Sequence, residues 1–192
     1  MSNDQKDKDQ QFVRLPAKRV FARELREIRH TFKESDDEKA PTFALLPTGE
    51  KASRVLMAGT LLDKEKRGTD TPFYRMRIED PTGTFFASAG TYQPEAMQQI
   101  MSISAPAFVM VVGKPNLYVT PEEKVFVSVT VTNIYVIDKA TRNLWTFDAA
   151  RATLERVNAF PDSEMAALAV EKYGEFKSGV WSEMVSHAIS SI

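Results

Sequence analysis

Cysteine is absent from the chain, which excludes disulfides and thiolate metal sites. Only two histidines occur, His30 and His187, so any metal would have to rest on carboxylates. No apolar run approaches the ~20 residues needed to span a bilayer. The opening Met1-Ser2-Asn3-Asp4-Gln5-Lys6 lacks the apolar segment of a signal peptide, and a cytoplasmic, metal-free protein is expected. There is no phosphate-cradling glycine-rich loop, no nucleophile motif and no histidine pair. Asp63, Asp70, Glu79 and Asp80 group along one stretch, but Asp80 falls in a turn, where a carboxylate commonly supports backbone geometry. The expectation is a binding protein rather than an enzyme, with no cofactor.

What is present is ordinary for a globular protein: 43% hydrophobic and 27% charged residues over 192 positions. That length suits one domain with extensions, or two small ones. The net charge is -1, whereas a protein that holds DNA by electrostatics alone is usually basic. The charge is segregated instead. Arg14, Lys18, Arg19, Arg23, Arg26, Arg29 and Lys33 are opposed only by Glu24 and Glu27, while acids predominate beyond Asp148. Such polarity permits a local nucleic-acid surface.

Residues 1–16 read as a polar, disordered tail. From Ala17 to Lys33, Phe21, Leu25, Ile28 and Phe32 recur at helical spacing beside a stripe of arginines. This predicts a basic amphipathic helix that either packs on the domain with a solvated face or also contacts phosphate or a partner. A linker containing Pro41 and Pro47 completes 17–52.

From Arg54 the period changes to two. Strands are expected at Val55–Leu62, with Gly59 at a bend or bulge, at Phe73–Glu79 and at Thr84–Ala89. Asp80-Pro81-Thr82-Gly83 supplies hairpin-turn chemistry between the last two. Tyr74, Met76, Ile78, Phe85 and Ala87 face inward, and Phe73, Arg75, Arg77, Phe86 and Ser88 outward; a one-residue slip would invert both sets. A short helix follows at Pro94–Met101, then strands at Ala107–Val112 and Val125–Thr132, the latter with four valines on one face. Small strands avoid open edges by closing on themselves. Five strands with a helix between the third and fourth is the OB arrangement. The fold class is therefore mostly β with helical extensions: an OB barrel over 53–139, an N-terminal amphipathic helix and a helical tail over 140–192.

In that tail, Asp148 is expected to cap a helix through Ala159, Pro161 to begin another ending near Gly174, and Ser178 a last one. Leu154, Val157 and Phe160, with Trp181, Met184, Val185 and Ala188, repeat at helical spacing. Either these helices cover the barrel, or one apolar face receives another subunit.

The stretch Tyr74-Arg75-Met76-Arg77-Ile78-Glu79-Asp80-Pro81-Thr82-Gly83-Thr84-Phe85 resembles the second and third strands of replication protein A (RPA) small subunits. Phe108-Val109-Met110-Val111-Val112-Gly113-Lys114 is similar to their fourth strand. Lys18-Arg19-Val20-Phe21-Ala22-Arg23-Glu24 and Ala87-Ser88-Ala89-Gly90-Thr91-Tyr92-Gln93-Pro94-Glu95-Ala96 resemble the archaeal RPA-associated proteins. The likeness implies an accessory subunit that pairs with a larger, multi-OB RPA subunit, binds single-stranded DNA and acts in replication and repair. It assigns subunit assembly to part of 141–192. The eukaryotic small subunit carries a winged-helix domain after its barrel, so protein recruitment through this tail is not implied.

Non-specific single-strand binding needs cations along the phosphate path and ring faces for the bases. The outward face of the second and third strands offers Phe73, Arg75, Arg77 and Phe86, flanked by Lys64, Lys66 and Arg67. Lys114, Tyr118 and Lys124 lie near the loop joining the last two strands, where OB proteins often hold ligand. Phe73 and Phe86 have a structural alternative, packing beneath a terminal helix.

Overall fold

The computed structural model describes residues 15–192. The expected tail therefore lies, but for Leu15 and Pro16, outside the described residues, as does Arg14.

Among the described residues nine strands occur in chain order: β1 (Lys18–Arg19), β2 (Thr31–Lys33), β3 (Thr42–Leu45), β4 (Lys51–Ala52), β5 (Val55–Arg67), β6 (Phe73–Asp80), β7 (Gly83–Gly90), β8 (Ala107–Val119) and β9 (Val125–Val136). β5 pairs antiparallel with β6, β6 with β7, and β8 with β9, while β7 runs parallel to β9. β5 then pairs antiparallel with β8, which closes the five-stranded barrel. β5 can serve two neighbours because it bends: Val55–Leu61 face β8, and Thr60–Arg67 face β6, with an irregularity between Leu61 and Asp63. Gly59 is required at the bend. A Cβ there would lie 2.3 Å from the Glu79 carbonyl oxygen, closer than real Cβ contacts come.

The barrel interior is filled as the alternation demands. Met57, Leu61, Met76, Ile78, Phe85, Ala87, Val109, Val111, Val129 and Val131 are all buried. Burying a side chain of this class contributes about 1.5–3 kcal/mol, so shifting one strand by a residue would cost several such terms together. Helix α2 (Pro94–Ser102) adds Ala96 and Ile100 to this core, and its Gln99 Oε1 accepts the Ile134 N–H at 3.2 Å.

The N-terminal region departs from its periodicity. Helix occupies only Ala22–Arg26 (α1), flanked by β1 and β2, instead of Ala17–Lys33. Two bonds from a distant turn fix where the helix starts: Asp80 Oδ2 accepts the Ala22 N–H at 2.6 Å, and Thr82 Oγ1 the Arg23 N–H at 3.0 Å. Beyond its end, Thr31–Lys33 pair with β3 as a strand. Phe21, Leu25 and Ile28 are buried as the apolar stripe requires, but Phe32 belongs to a separate three-stranded sheet, β2-β3-β4. The expected linker is thus partly strand. Leu45 there forms a second small core with Phe160 and Ala169.

Three helices follow the barrel: α3 (Lys139–Ala159), α4 (Ala166–Tyr173) and α5 (Ser178–Ser190). α3 begins ten residues earlier than an Asp148 cap would place it, because Asp138 caps it: its Oδ1 accepts the Thr141 N–H at 2.7 Å. The Trp145 indole of α3 donates to the Leu56 carbonyl at 3.2 Å and meets Phe21 edge-to-face with centroids 5.5 Å apart. α3 is thereby seated on the barrel. No helix among the described residues is long and apolar enough to cross a membrane.

Candidate nucleic-acid interface

Cross-strand register assembles the outer face of the barrel in rows. One row runs Asp63, Arg77, Phe86, Ser128, Asn116 across β5, β6, β7, β9 and β8. The next, one pleat along, runs Glu65, Arg75, Ser88, Thr130, Lys114. β8 and β9 continue as a hairpin, where Tyr118 stands opposite Phe126 on that same face. The face lies between two connections, residues 68–72 and 120–124.

The outward residues keep contact with solvent. Phe86 is 37% exposed, Tyr118 60% and Phe126 58%, so their ring faces are accessible. Arg75 lies with its guanidinium carbon 4.1 Å from the Phe86 ring centroid. The two form one stacked platform rather than two separate contacts, and a base would meet the outer plane of the guanidinium. Phe73 is half-buried opposite Gly90.

The cations of this region differ in what they already hold. Arg77 is exposed but pairs with Asp63 at 2.6 Å. Arg67 pairs with Glu65 at 2.7 Å. Lys64 donates to the Ile100 and Met101 carbonyls at 2.6 and 2.9 Å, where it caps the C-terminus of α2. Its charge therefore serves a helix end. Lys66, Lys114 and Lys124 are exposed, and among the described residues no ion pair includes them.

The arginine stripe of the N-terminal region is largely engaged within the protein. Arg26 donates to the Thr84 carbonyl at 2.6 Å and the Thr82 carbonyl at 3.2 Å, clasping the β6–β7 turn. Gly83 adopts φ +126 there, and a Cβ would strike the Arg26 guanidinium at 2.6 Å. Arg23 pairs with Glu27, Arg19 with Asp148, and Arg29 bonds the Arg26 and Ile28 carbonyls. Under the same turn, burial pushes the Asp80 carboxyl up to about 6, against the lowering effect of its bonds to Thr82 and Ala22 and of nearby Arg26.

The apolar residues expected to receive a partner lie elsewhere than expected. Val157, Phe160, Trp181, Met184, Val185 and Ala188 are buried within the chain's own core, and only Leu154 of that set reaches the surface, at 36% exposure. They are consumed because α5 packs along α3, and because Phe160 stacks on Phe176 with rings nearly parallel. What α3 does expose is a different stripe: Leu144, Phe147, Arg151 and Leu154. Steps of three, four and three residues place these on one side of the helix.

Sequence reading passed over Phe126, although the inward valines of β9 imply by alternation that Phe126, Ser128 and Thr130 point out. Leu144 and Phe147 carried a similar signal in their spacing, obscured because two apolar faces share one helix.

No protein-family model matches the sequence, and no curated protein sequence does. The fold is similar to solved structures. A chain in the crystal structure of yeast Stn1 and Ten1 superposes with TM-score 0.52 at 12% identity, covering 73% of this chain and 74% of that one. A chain in the S. pombe Stn1–Ten1 complex gives TM-score 0.51 at 12% identity, covering 82% of this chain and 98% of that one. At such identity the likeness concerns the fold: an OB barrel with helical additions.

Proposed function

We propose that this chain is an accessory OB-fold subunit that binds single-stranded DNA together with a second subunit, by binding alone and without catalysis. The observation that carries the reading is the single outer face on which Arg75 stacked on Phe86, exposed Tyr118 and Phe126, and exposed Lys114 share adjoining rows. Bases stack on the platform and on the hairpin rings, each contributing about 1–3 kcal/mol, while the lysines follow phosphate. The likeness of the sequence to RPA small subunits and archaeal RPA-associated proteins supports the finer reading, an accessory subunit of an RPA-type complex in replication and repair. Assembly would use the exposed Leu144–Phe147–Leu154 stripe of α3, whose spacing suits a helix of the partner subunit. The fold-neighbours belong to a complex of two named subunits, Stn1 and Ten1, which accords with that role.

Fluorescence anisotropy of labelled oligonucleotides, with the chain alone and with proteins co-purified from its host, tests this. Salt-sensitive, length-dependent binding is expected, together with a multi-OB protein in the eluate. No binding at low salt in either preparation would remove the DNA assignment.

A second reading draws on the Arg77–Asp63 and Arg67–Glu65 pairs and the Lys64 cap, which neutralise much of the expected basic rim. In it the barrel is a docking module that does not touch nucleic acid. Arg75→Ala with Arg77→Ala would then leave DNA affinity of the complex unchanged.

A further inference from the structure

We propose that the single-stranded DNA path does not end at the barrel but continues into a groove between the N-terminal sheet and the β8–β9 hairpin, where Lys33, Lys39, Arg54 and Lys114 hold its phosphates. The inference rests on the DNA-binding reading above and extends it to a second, sequence-independent segment of the site.

The groove encloses about 710 Å³. One wall comes from β2 and the following turn and β3, the other from Lys114, Pro115, Asn116 and Thr130. Asn116 and Lys114 are the β8 ends of the two rows that form the outer face of the barrel, and Thr130 precedes Lys114 in its row, so face and groove are continuous. A strand lying across the rows from β6 to β8 is delivered into it.

The lining also decides which part of a nucleotide it takes. Four cations and one acid, Glu38, line the groove; Asp36 and Asp37, in the same turn, do not. None of the four cations is in an ion pair among the described residues, in contrast to Arg77 and Arg67 on the barrel. Among the described residues Lys33 bonds only a backbone carbonyl, that of Glu38, at 3.0 Å, so its charge is uncompensated by that contact. No aromatic side chain lines the groove among the described residues. Cations without rings suit the sugar-phosphate chain, whereas the platform at Phe86 suits bases. An acidic peptide would match the charge too, but nothing would then require the groove to join the aromatic face.

The test compares two oligothymidines on the full-length chain by anisotropy across a salt series. One has about 6 nucleotides, within what a single barrel holds, and the other about 16. The longer should bind more tightly and with a steeper salt slope. Lys33→Ala with Lys39→Ala should flatten that slope by about 1.4, two phosphate contacts at about 0.7 each for single strands, and leave the short oligonucleotide unaffected. Lys39→Glu, a change at an exposed turn position, should weaken the long oligonucleotide selectively and serves if the double variant folds poorly. Unchanged binding of the long oligonucleotide, or an equal loss at both lengths, overturns the groove while leaving the barrel face in place. Failure of the unaltered chain to bind either length would instead sink the DNA assignment itself, and the groove with it.

Discussion

Glu24 of α1 and Arg156 of α3 stand 132 residues apart in sequence and form a buried ion pair, Nη2 to Oε1 at 2.8 Å. Thr48 and Thr153 hydroxyls donate to the same carboxylate at 3.1 and 3.0 Å, and the Phe21 N–H at 3.2 Å. Neither side chain of the pair is more than 8% exposed. Full satisfaction of the carboxylate offsets the cost of removing both charges from water. The network joins α1, the turn before β4 and α3, and thereby sets how α3 lies against the N-terminal region.

Arg156→Met should lower unfolding stability by roughly 3–5 kcal/mol, because it leaves Glu24 buried without a counter-charge. Adding Glu24→Gln should restore part of the loss, read as non-additivity in urea denaturation. Additive losses would show that the two do not act as a pair.

Asp80 makes stability depend on pH in an uncommon direction. Its folded-state carboxyl titrates near 6, above the ordinary 3.8, so the folded protein binds a proton more readily than the unfolded chain. This contribution is fully present below about 3.8 and is lost as pH rises through 6. Chemical denaturation between pH 5 and 7 should therefore contain a component that weakens with rising pH and disappears in Asp80→Asn. The variant should also be less stable throughout, since the Ala22 and Thr82 donors lose a carboxylate oxygen as partner.

Asp63→Asn should strengthen single-stranded DNA binding. The substitution frees Arg77 from its ion pair and removes a like charge from the path of the phosphates. One additional phosphate contact would steepen the salt slope by about 0.7. Phe86→Ala should act oppositely and cost about 1–3 kcal/mol, because the ring that supports Arg75 is gone.

The two apolar faces of α3 should behave differently when altered. Leu144→Asp with Phe147→Asp changes residues that are 62% and 54% exposed, so thermal stability should hold while the chain no longer co-purifies with its partner. Trp181→Ala removes a buried ring and should cost about 3–5 kcal/mol in stability. Loss of assembly only through unfolding would move the interface elsewhere.

The barrel was legible because alternation is a local property. Met76 and Ile78 on β6, Phe85 and Ala87 on β7, and the four valines of β9 each declare an inner face within a few residues. The first 30 described residues were not legible in that way. Phe21, Leu25 and Ile28 satisfy a helical period, yet Asp80 and Thr82, nearly 60 residues away, fix the helix start at Ala22, and strand pairing with Thr42–Ala44 takes up Thr31–Lys33. Likewise, six of the seven apolar residues expected at a partner surface are apolar and helical as read, but the packing of α5 on α3 buries five of them, and the small core around Leu45 and Phe176 buries Phe160.

Composition and alternation by themselves determined that five strands would bury one set of side chains and present Arg75, Arg77 and Phe86 on the other, because the strand period is two and each residue carries its own side. Only the tertiary structure decided which cations remain free. Arg77 faces Asp63 through the β5–β6 register, Lys64 reaches the end of α2, and Lys33, Lys39, Arg54 and Lys114 meet at one groove. Charge pairing depends on distances between elements remote in the chain, and those distances exist only once the barrel has closed and the terminal segments have docked upon it.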